Sequence, residues 1–389
     1  MDLDGLKTLV IGAGIGGLAV ARALALRGAD VTVLEQAGEI AEVGAGLQIS
    51  PNGFAVLKAL GLGEGLRATS VQGRAVALHD YRRGEVLRLD LGLLEDQNFY
   101  FVHRADLIDL LAEAAREAGV KIRLLHKVDQ VVPGDRPKVV LSNGAEIAAD
   151  LVVGADGLHS KLRPVLNGDN LPFFTGQVAW RAIVPNDAGR GPEAHVHMGP
   201  HQHLVSYPLR GGRDLNIVAV QERPKWAEES WSQRDNPDAL RAAFADFGPE
   251  VQGMLTKVDE VYLWGLFRHM VAPVWQGGGT ALLGDAAHPT LPFMAQGAVM
   301  ALEDAWVLAD ALARQDGVAK GLSSYQYRRA ARARRVINAA NGNARKYHLS
   351  FGPLRWAAHS VLKLGGSVAP KRMMTQFNWL YGYDVTRDS

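Results

Sequence analysis

The most restrictive stretch of this chain is its amino-terminal one. An apolar run from Leu6 to Ile11 leads into Gly12-Ala13-Gly14-Ile15-Gly16-Gly17, and a second run, Val31 to Leu34, ends at Glu35. A strand that enters a helix through a G-x-G-x-x-G turn sets free helix N–H groups and the positive end of the helix dipole against a pyrophosphate. Gly12 permits the tight turn, Gly14 lets the backbone approach the phosphates, and Gly17 lets the helix pack close on the strand. Glu35, about twenty residues on, stands where a ribose hydroxyl needs an acceptor. The helix itself reads from Leu18 to Leu26 and stops at Gly28. Together these residues predict a dinucleotide site.

A chain of 389 residues with net charge +1 and 21% charged residues has room for two or three domains, and its balance points to no nucleic acid. It has no cysteine. That excludes a disulfide framework, a thiolate nucleophile and Cys-ligated zinc, and is compatible with a reducing compartment. The apolar stretch Thr8 to Leu26 is glycine-punctuated and carries Arg22, so it reads as strand, turn and helix, not as a signal peptide. No other uninterrupted apolar run reaches membrane-spanning length. The expectation is a cytoplasmic protein without membrane insertion.

Along the chain, Val43 to Gly53 reads as a Gly-, Pro- and Asn-rich loop crossing near the nucleotide, followed by a helix ending near Leu60-Gly61. Arg74 to Asp80 and Val86 to Leu91 are β-prone and look like an excursion into a second sheet. Arg104 to Ala118 has helical spacing, and Lys121 to Leu125 resumes a strand. Four short β-prone runs, Val178 to Val184, His195 to Met198, His203 to Tyr207 and Leu215 to Val220, predict an antiparallel sheet. The chain returns to αβ style at Ala281 to Asp285. The expected fold class is therefore α/β. A Rossmann-like, discontinuous nucleotide domain (1–73, 101–172 and 273–340) carries an inserted, mainly antiparallel substrate domain (74–100 and 173–272), and a helical segment (341–389) follows.

Two further strand ends carry an acid beside a glycine. Leu151-Val152-Val153 runs into Gly154-Ala155-Asp156-Gly157, with Ser160 and Arg163 beyond, and Leu283 runs into Gly284-Asp285-Ala286-Ala287-His288. Turn chemistry alone would explain the first, but not an acid again at the carboxyl end of an apolar strand, where ligands sit in open αβ sheets. Three such sites in this order resemble the FAD-dependent aromatic hydroxylases, single-component flavoprotein monooxygenases of the salicylate, 3-hydroxybenzoate and 6-hydroxynicotinate type, over nearly the whole chain. The resemblance implies FAD, with NADH or NADPH as transient reductant. It assigns Gly12, Gly14, Gly17 and Glu35 to the ADP half, with Ile15, Gly16 and Gln36 expected to bind cofactor next to them, and Asp156, Gly157 and Arg163 to FAD and NAD(P)H. Gly284 and Asp285 fall on the ribityl chain, and Gly46, Arg104, Gln296, Gly297 and Ala298 beside the flavin. Pro289 to Ala295 cannot be regular helix, whereas Gln296 to Ala313 is strongly helical, so a helix N-terminus lies just past Asp285.

His195, His197, His201 and His203 crowd one stretch. His-x-His without a nearby acid other than Glu193 is a weak metal signal, and no metal is expected. His203 and Tyr207-Pro208 instead reproduce a spacing that the family's 3-hydroxybenzoate and 6-hydroxynicotinate hydroxylases direct at substrate. A phenol with a pKa near ~10 must lose its proton to become an electron-rich phenolate, and an imidazole base with a pKa near ~6.5 suits that task. Tyr207 would bind the same oxygen or a carboxylate. The resemblance thus implies ring hydroxylation of a small aromatic or heteroaromatic acid with O2, through a flavin C4a-hydroperoxide. At Pro292 and Phe293, where relatives carry a glutamine or a histidine, this chain is apolar, so Pro292, Phe293 and Met294 are expected to form an apolar pocket wall, and Arg181 is either a carboxylate anchor or a cation on the sheet surface. Decarboxylating hydroxylation stays open. So do a larger polycyclic or non-aromatic substrate and a nucleotide-binding scaffold without turnover.

The basic run Arg328 to Arg335 spreads around a helix and reads as a solvated face, not a nucleic-acid site. The tail aromatics Trp356, Trp379, Tyr381 and Tyr383 are expected to pack on their own domain or on a dimer mate, so the state is monomer or homodimer.

Overall fold

The computed structural model describes residues 3–40, 45–94, 98–224 and 233–387. Val43 and Gly44 of the expected loop lie outside them. Leu151–Gly154 and Lys7–Ile11 are central in a six-stranded sheet whose order is Gln276–Gly277, Thr280–Leu282, Leu151–Gly154, Lys7–Ile11, Asp30–Leu34, Lys121–Arg123. Every pair is parallel except that of Gln276–Gly277 with Thr280–Leu282. Strands buried on both faces read as unbroken apolar runs, as Leu9-Val10-Ile11 and Leu151-Val152-Val153 do. One face is covered by helix Ile15–Ala25, which lies beneath helix Gly297–Arg314 and is buried on almost every side.

The second sheet has eight strands, ordered Arg234–Asp235, Val261–Arg268, Phe173–Pro185, Asp214–Glu222, Gln202–Leu209, Glu193–Gly199, Ala75–Asp80, Gly84–Asp90. It is antiparallel except where Glu193–Gly199 runs parallel to Ala75–Asp80, so the early excursion does join the later sheet. Period-two alternation divides its faces. Val178, Trp180, Ala182, Leu204, Leu215 and Ile217 pack with Leu240, Val251 and Leu255 of two short helices, Pro237–Ala243 and Pro249–Leu255, and with Phe244 just beyond the first. The opposite face, with Ala179, Arg181, His203, Val205 and Tyr207, looks toward the nucleotide-binding half.

Gly46–Ile49 is a strand, not loop, and Pro51–Ala59 is the helix that follows. Helix Val318–Tyr347 continues into the tail, followed by Gly352–Val368, Pro370–Thr375 and Asn378–Tyr381. The tail aromatics divide. Arg335 stacks on Trp379 at 4.2 Å and Arg332 on Tyr383 at 3.7 Å, whereas Trp356 is exposed.

The reading of Arg328 to Arg335 as a solvated face needs correction. Arg329 is fully buried, with Nε on Asp304 Oδ1 at 2.7 Å and Nη1 on Glu303 Oε2 at 2.7 Å, and Arg332 holds Glu303 Oε1 at 2.7 Å. Two carboxylates on an apolar helix cannot be buried unpaired, and these arginines, three apart on the facing helix, supply the countercharge.

Candidate active site

One cavity of about 900 Å³ runs from the glycine turn to the inner face of the eight-stranded sheet. At its nucleotide end, Gly12 has φ +99°, and a Cβ there would meet Ala155 O at 2.7 Å. A Cβ on Gly17 would lie 2.0 Å from Gly12 O, so only glycine lets the helix sit this close. Gly14, by contrast, caps the helix facing open space, and with Ile15 and Gly16 it lines the cavity. The first-turn amides are thus presented to whatever fills that end. Glu35 accepts from Ala13 N and Ala37 N, each at 2.8 Å, and so buttresses the turn. Neither Glu35 nor the exposed Gln36 lines the cavity.

Ala155, Gly157, Arg104, Gly46, Gly284, Asp285, Gly297 and Ala298 border the middle. Asp156 is turned inward, accepting from Lys161 N at 2.7 Å. Arg163 points away from the cavity. Its guanidinium donates to the carbonyls of Ala286 (2.9 Å), Ala287 (3.0 Å) and Met270, tying the helix after Asp156-Gly157 to the turn around Asp285. It is a strut between the two acid-bearing turns and does not line the cavity. Gln296 is likewise occupied, with Nε2 on Ser50 Oγ at 2.9 Å and Oε1 accepting from Asn52 Nδ2 at 3.1 Å. Asp285 opens into the cavity from deep in the protein. Burial raises its carboxyl above the ordinary range, against the opposing pull of His288 and Arg104. Behind it, Asp304 accepts from Gly284 N at 3.1 Å and from His288 Nε2 at 2.5 Å. An open Gly14, clear helix amides, Arg104 and a deep, accessible Asp285 along one channel fit an extended dinucleotide such as FAD.

At the far end, His203, Tyr207 and Arg181 share the wall with Pro292, Phe293 and Met294, among Val76, Leu78, Met198 and Val205. The crowded histidines sort by strand face. Ala194, Val196 and Met198 face the cavity, so His195 and His197 turn to the opposite side and join His79, whose ring stacks on His197 at 4.7 Å. Among the described residues, donor atoms of His79, His197 and Glu250 lie within 4.8 Å of one another there, with Arg190 already paired to Glu250.

His203 is buried, with its ring 5.3 Å from that of Phe293 and its Nδ1 2.7 Å from His348 Nε2. Burial, then the neighbouring His348, hold its pKa well below the ordinary imidazole value. Tyr207 stands four residues further along the same strand, about 13 Å in Cα position. Its ring lies 5.2 Å from Phe101, and a Cβ on Gly46 would meet its hydroxyl at 2.8 Å. That spacing sets the two side chains well apart along the cavity wall. Burial raises the Tyr207 phenol above its usual range despite Arg181, so it remains a donor. Arg181 lies over Trp264 at 3.6 Å, a guanidinium in a mostly apolar wall.

The sequence reading missed a site role for Tyr347 and the tail residues Met373, Met374, Phe377 and Tyr381, which close the cavity, and for His348, which stands behind His203. No local spacing marks them, because they reach the site only when the last helices fold back across the sheet.

The chain matches the FAD binding domain family model over residues 5–340. It is 34% identical to the 3-amino-4-hydroxybenzoate 2-monooxygenase PtnB3 of Streptomyces platensis, covering 97% of this chain and 96% of that one. The chain belongs to the FAD-dependent aromatic hydroxylase family. Within it, the 3-hydroxybenzoate 6-hydroxylase of Polaromonas naphthalenivorans is also 34% identical, over 98% of this chain and 96% of that one. The crystal structure of Klebsiella pneumoniae HpxO with FAD and uric acid superposes with a TM-score of 0.83 at 28% identity, covering 95% and 96% of the two chains. FAD is accordingly the cofactor of this chain. Among the described residues, no helix is long and apolar enough to cross a membrane.

Proposed function

We propose that this protein uses NAD(P)H and O2 to hydroxylate a hydroxylated aromatic or heteroaromatic acid of the hydroxybenzoate, salicylate or hydroxynicotinate type. The observation that carries this reading is that His203 and Arg181 line the same wall of a largely apolar cavity that continues to Asp285 and Gly14. Bound FAD, once reduced, supplies the activation of O2. The chain's own residues do the rest. Gly14, Ile15 and Gly16 bind the pyrophosphate through helix amides, Asp285 holds the ribityl hydroxyls, and Arg104 lies alongside.

His203 accepts the phenolic proton. Arg181, fixed against Trp264, draws the substrate carboxylate to the opposite end, where Tyr207 donates a hydrogen bond. Pro292, Phe293 and Met294 keep water from the reacting ring. The relatives' names, which concern ring hydroxylation of 3-hydroxybenzoate and 3-amino-4-hydroxybenzoate, agree with this class of substrate. The need for a diffusible nicotinamide supports a cytoplasmic location. The exposed apolar residues Phe351, Leu354, Trp356 and Val361 of helix Gly352–Val368 support a homodimer over a monomer.

The deciding experiment measures NAD(P)H oxidation stimulated by hydroxybenzoates, aminohydroxybenzoates, hydroxynicotinates and salicylates, with product identification. A hydroxylated product from at least one of them is expected. Flavin reduction without any hydroxylated product across the panel would remove the aromatic-acid reading.

A further inference from the structure

Three buried or half-buried groups, each from a different element, connect the cavity to the surface. His203 Nδ1 is 2.7 Å from His348 Nε2, and His348 Nδ1 is 2.9 Å from Glu222 Oε1. Glu222 Oε2 is 2.7 Å from Nδ1 of His201, whose side chain is 61% exposed. Exposure rises along the series: the His348 side chain is 1% exposed and that of Glu222 38%. We propose that His203, His348 and Glu222 form a proton relay from the substrate cavity to solvent, in which Glu222 and His348 are positioning residues that decide which nitrogen of His203 is the base. The proposal rests on the aromatic-acid reading above.

The direction of the relay follows from donor and acceptor capacity. An ionised carboxylate can only accept. Partial burial pulls the Glu222 carboxyl up, but hydrogen bonds from His201 and His348 outweigh it and hold it below its usual range. The hydrogen of neutral His348 therefore sits on Nδ1, and its Nε2 must accept. His203 then carries its hydrogen on Nδ1, which leaves Nε2 as a bare lone pair on the ring that lines the cavity. A half-exposed acid at the end of its strand thus sets the tautomer of a buried base.

The step balances. The phenolic O–H bond breaks and an N–H bond forms at His203 Nε2. The Nδ1 proton of His203 passes to His348 Nε2, and the Nδ1 proton of His348 passes to Glu222 and then to water. One proton reaches solvent for each phenolate formed. A proton returning along the same path restores both imidazoles when the product phenol re-forms. Such a path is required because burial and His348 both disfavour an imidazolium at His203, so a proton left there would sit where the protein holds it least well. His201 closes the outer end with a left-handed backbone, φ +59°, a conformation that costs a non-glycine residue energy and that brings its carbonyl to Glu222 N at 2.9 Å.

The test uses the FAD-loaded full chain with nitrogen-labelled histidine. Without ligand, proton–nitrogen correlation spectra, assigned through the His203→Asn and His348→Gln variants, are expected to show His203 and His348 both as Nδ1–H tautomers. Glu222→Gln, whose amide can donate to His348, is expected to convert both to Nε2–H. In a second arm, 3-hydroxybenzoate, 3-amino-4-hydroxybenzoate, 6-hydroxynicotinate and salicylate are mixed with the protein in weak buffer containing a pH dye. An acid that perturbs the flavin spectrum should release a proton, and Glu222→Gln and His348→Gln should slow that release about tenfold or more at unchanged flavin perturbation. Glu222→Asp should restore it. Nε2–H tautomers in the wild type, or release at the wild-type rate in Glu222→Gln, would overturn the relay. If none of the acids perturbs the flavin, the substrate reading fails on its own, while the tautomers measured without ligand still decide the relay.

Discussion

Arg329 Nε donates to Asp304 Oδ1 at 2.7 Å, and both side chains are wholly shielded from solvent. Asp304 in turn accepts from Gly284 N and His288, so this ion pair backs the turn that presents Asp285. Removing one member of such a pair leaves an uncompensated buried charge. Arg329→Met is expected to destabilise the fold by about 3–5 kcal/mol, and denaturant midpoints of the FAD-loaded protein measure it. A loss within about 0.5 kcal/mol would mean that the pair is replaceable by apolar packing.

The same pair sets an acid limit. Burial alone would raise the Asp304 carboxyl, but His288 and Arg329 outweigh it and hold it at about 2. A carboxyl whose folded pKa lies below its unfolded value of ~3.9 contributes stability that is present above that value and is lost as pH falls toward the folded one. Roughly 2 kcal/mol should therefore disappear between about pH 4 and pH 2. Unfolding curves across that interval, compared with those of Asp304→Asn, check it. The variant should start less stable and show a shallower dependence.

Gly14 faces open space at the helix N-terminus, so Gly14→Val should fold yet obstruct the pyrophosphate. FAD affinity is expected to fall about tenfold or more, about 1.4 kcal/mol, with little change in the apoprotein's melting temperature. Flavin titration by fluorescence decides it, and an unchanged affinity would mean that the phosphates do not approach this residue.

Phe293 is buried against His203 and lines the reacting end of the cavity. Phe293→Ala should admit water, so that more hydrogen peroxide and less hydroxylated product appear per NAD(P)H consumed. Coupling equal to wild type would place the reacting ring elsewhere.

His203→Ala should retain FAD and its reduction by NAD(P)H but lose roughly a hundredfold in product formation at neutral pH. The deficit should shrink as pH rises toward the phenol's own pKa, because solvent then removes the proton. Since burial lowers the His203 pKa, the wild type stays neutral and base-competent below ~6.5, and its acid limb should fall beneath that value. Product per turnover against pH, in wild type and variant, is the measurement.

The nucleotide half was legible because its chemistry is local. A strand, Gly12 to Gly17 and the acid-bearing turns at Asp156 and Asp285 are each defined by neighbours within a few residues, and backbone amides at a helix start need no distant partner. His203 and Tyr207 were legible for the same reason, since they share one face of a single strand. Period two also predicts that His195 and His197 share a face, but not that this face looks away from the cavity.

What the sequence determined by itself was therefore the FAD-type turn, the two acid-bearing strand ends and the strand carrying His203. Only the tertiary structure decided the charge state and surroundings of those groups. Arg329 and Arg332 became buried countercharges, although on the helix alone they look like a solvated face. Arg163 became a strut, since its guanidinium meets carbonyls more than a hundred residues away. His348 and Glu222 reached His203 from 145 residues along the chain and from an adjacent strand. Spacing specifies which side chains share a face, whereas partners, burial and tautomers depend on what the fold brings against that face, and no local pattern encodes that.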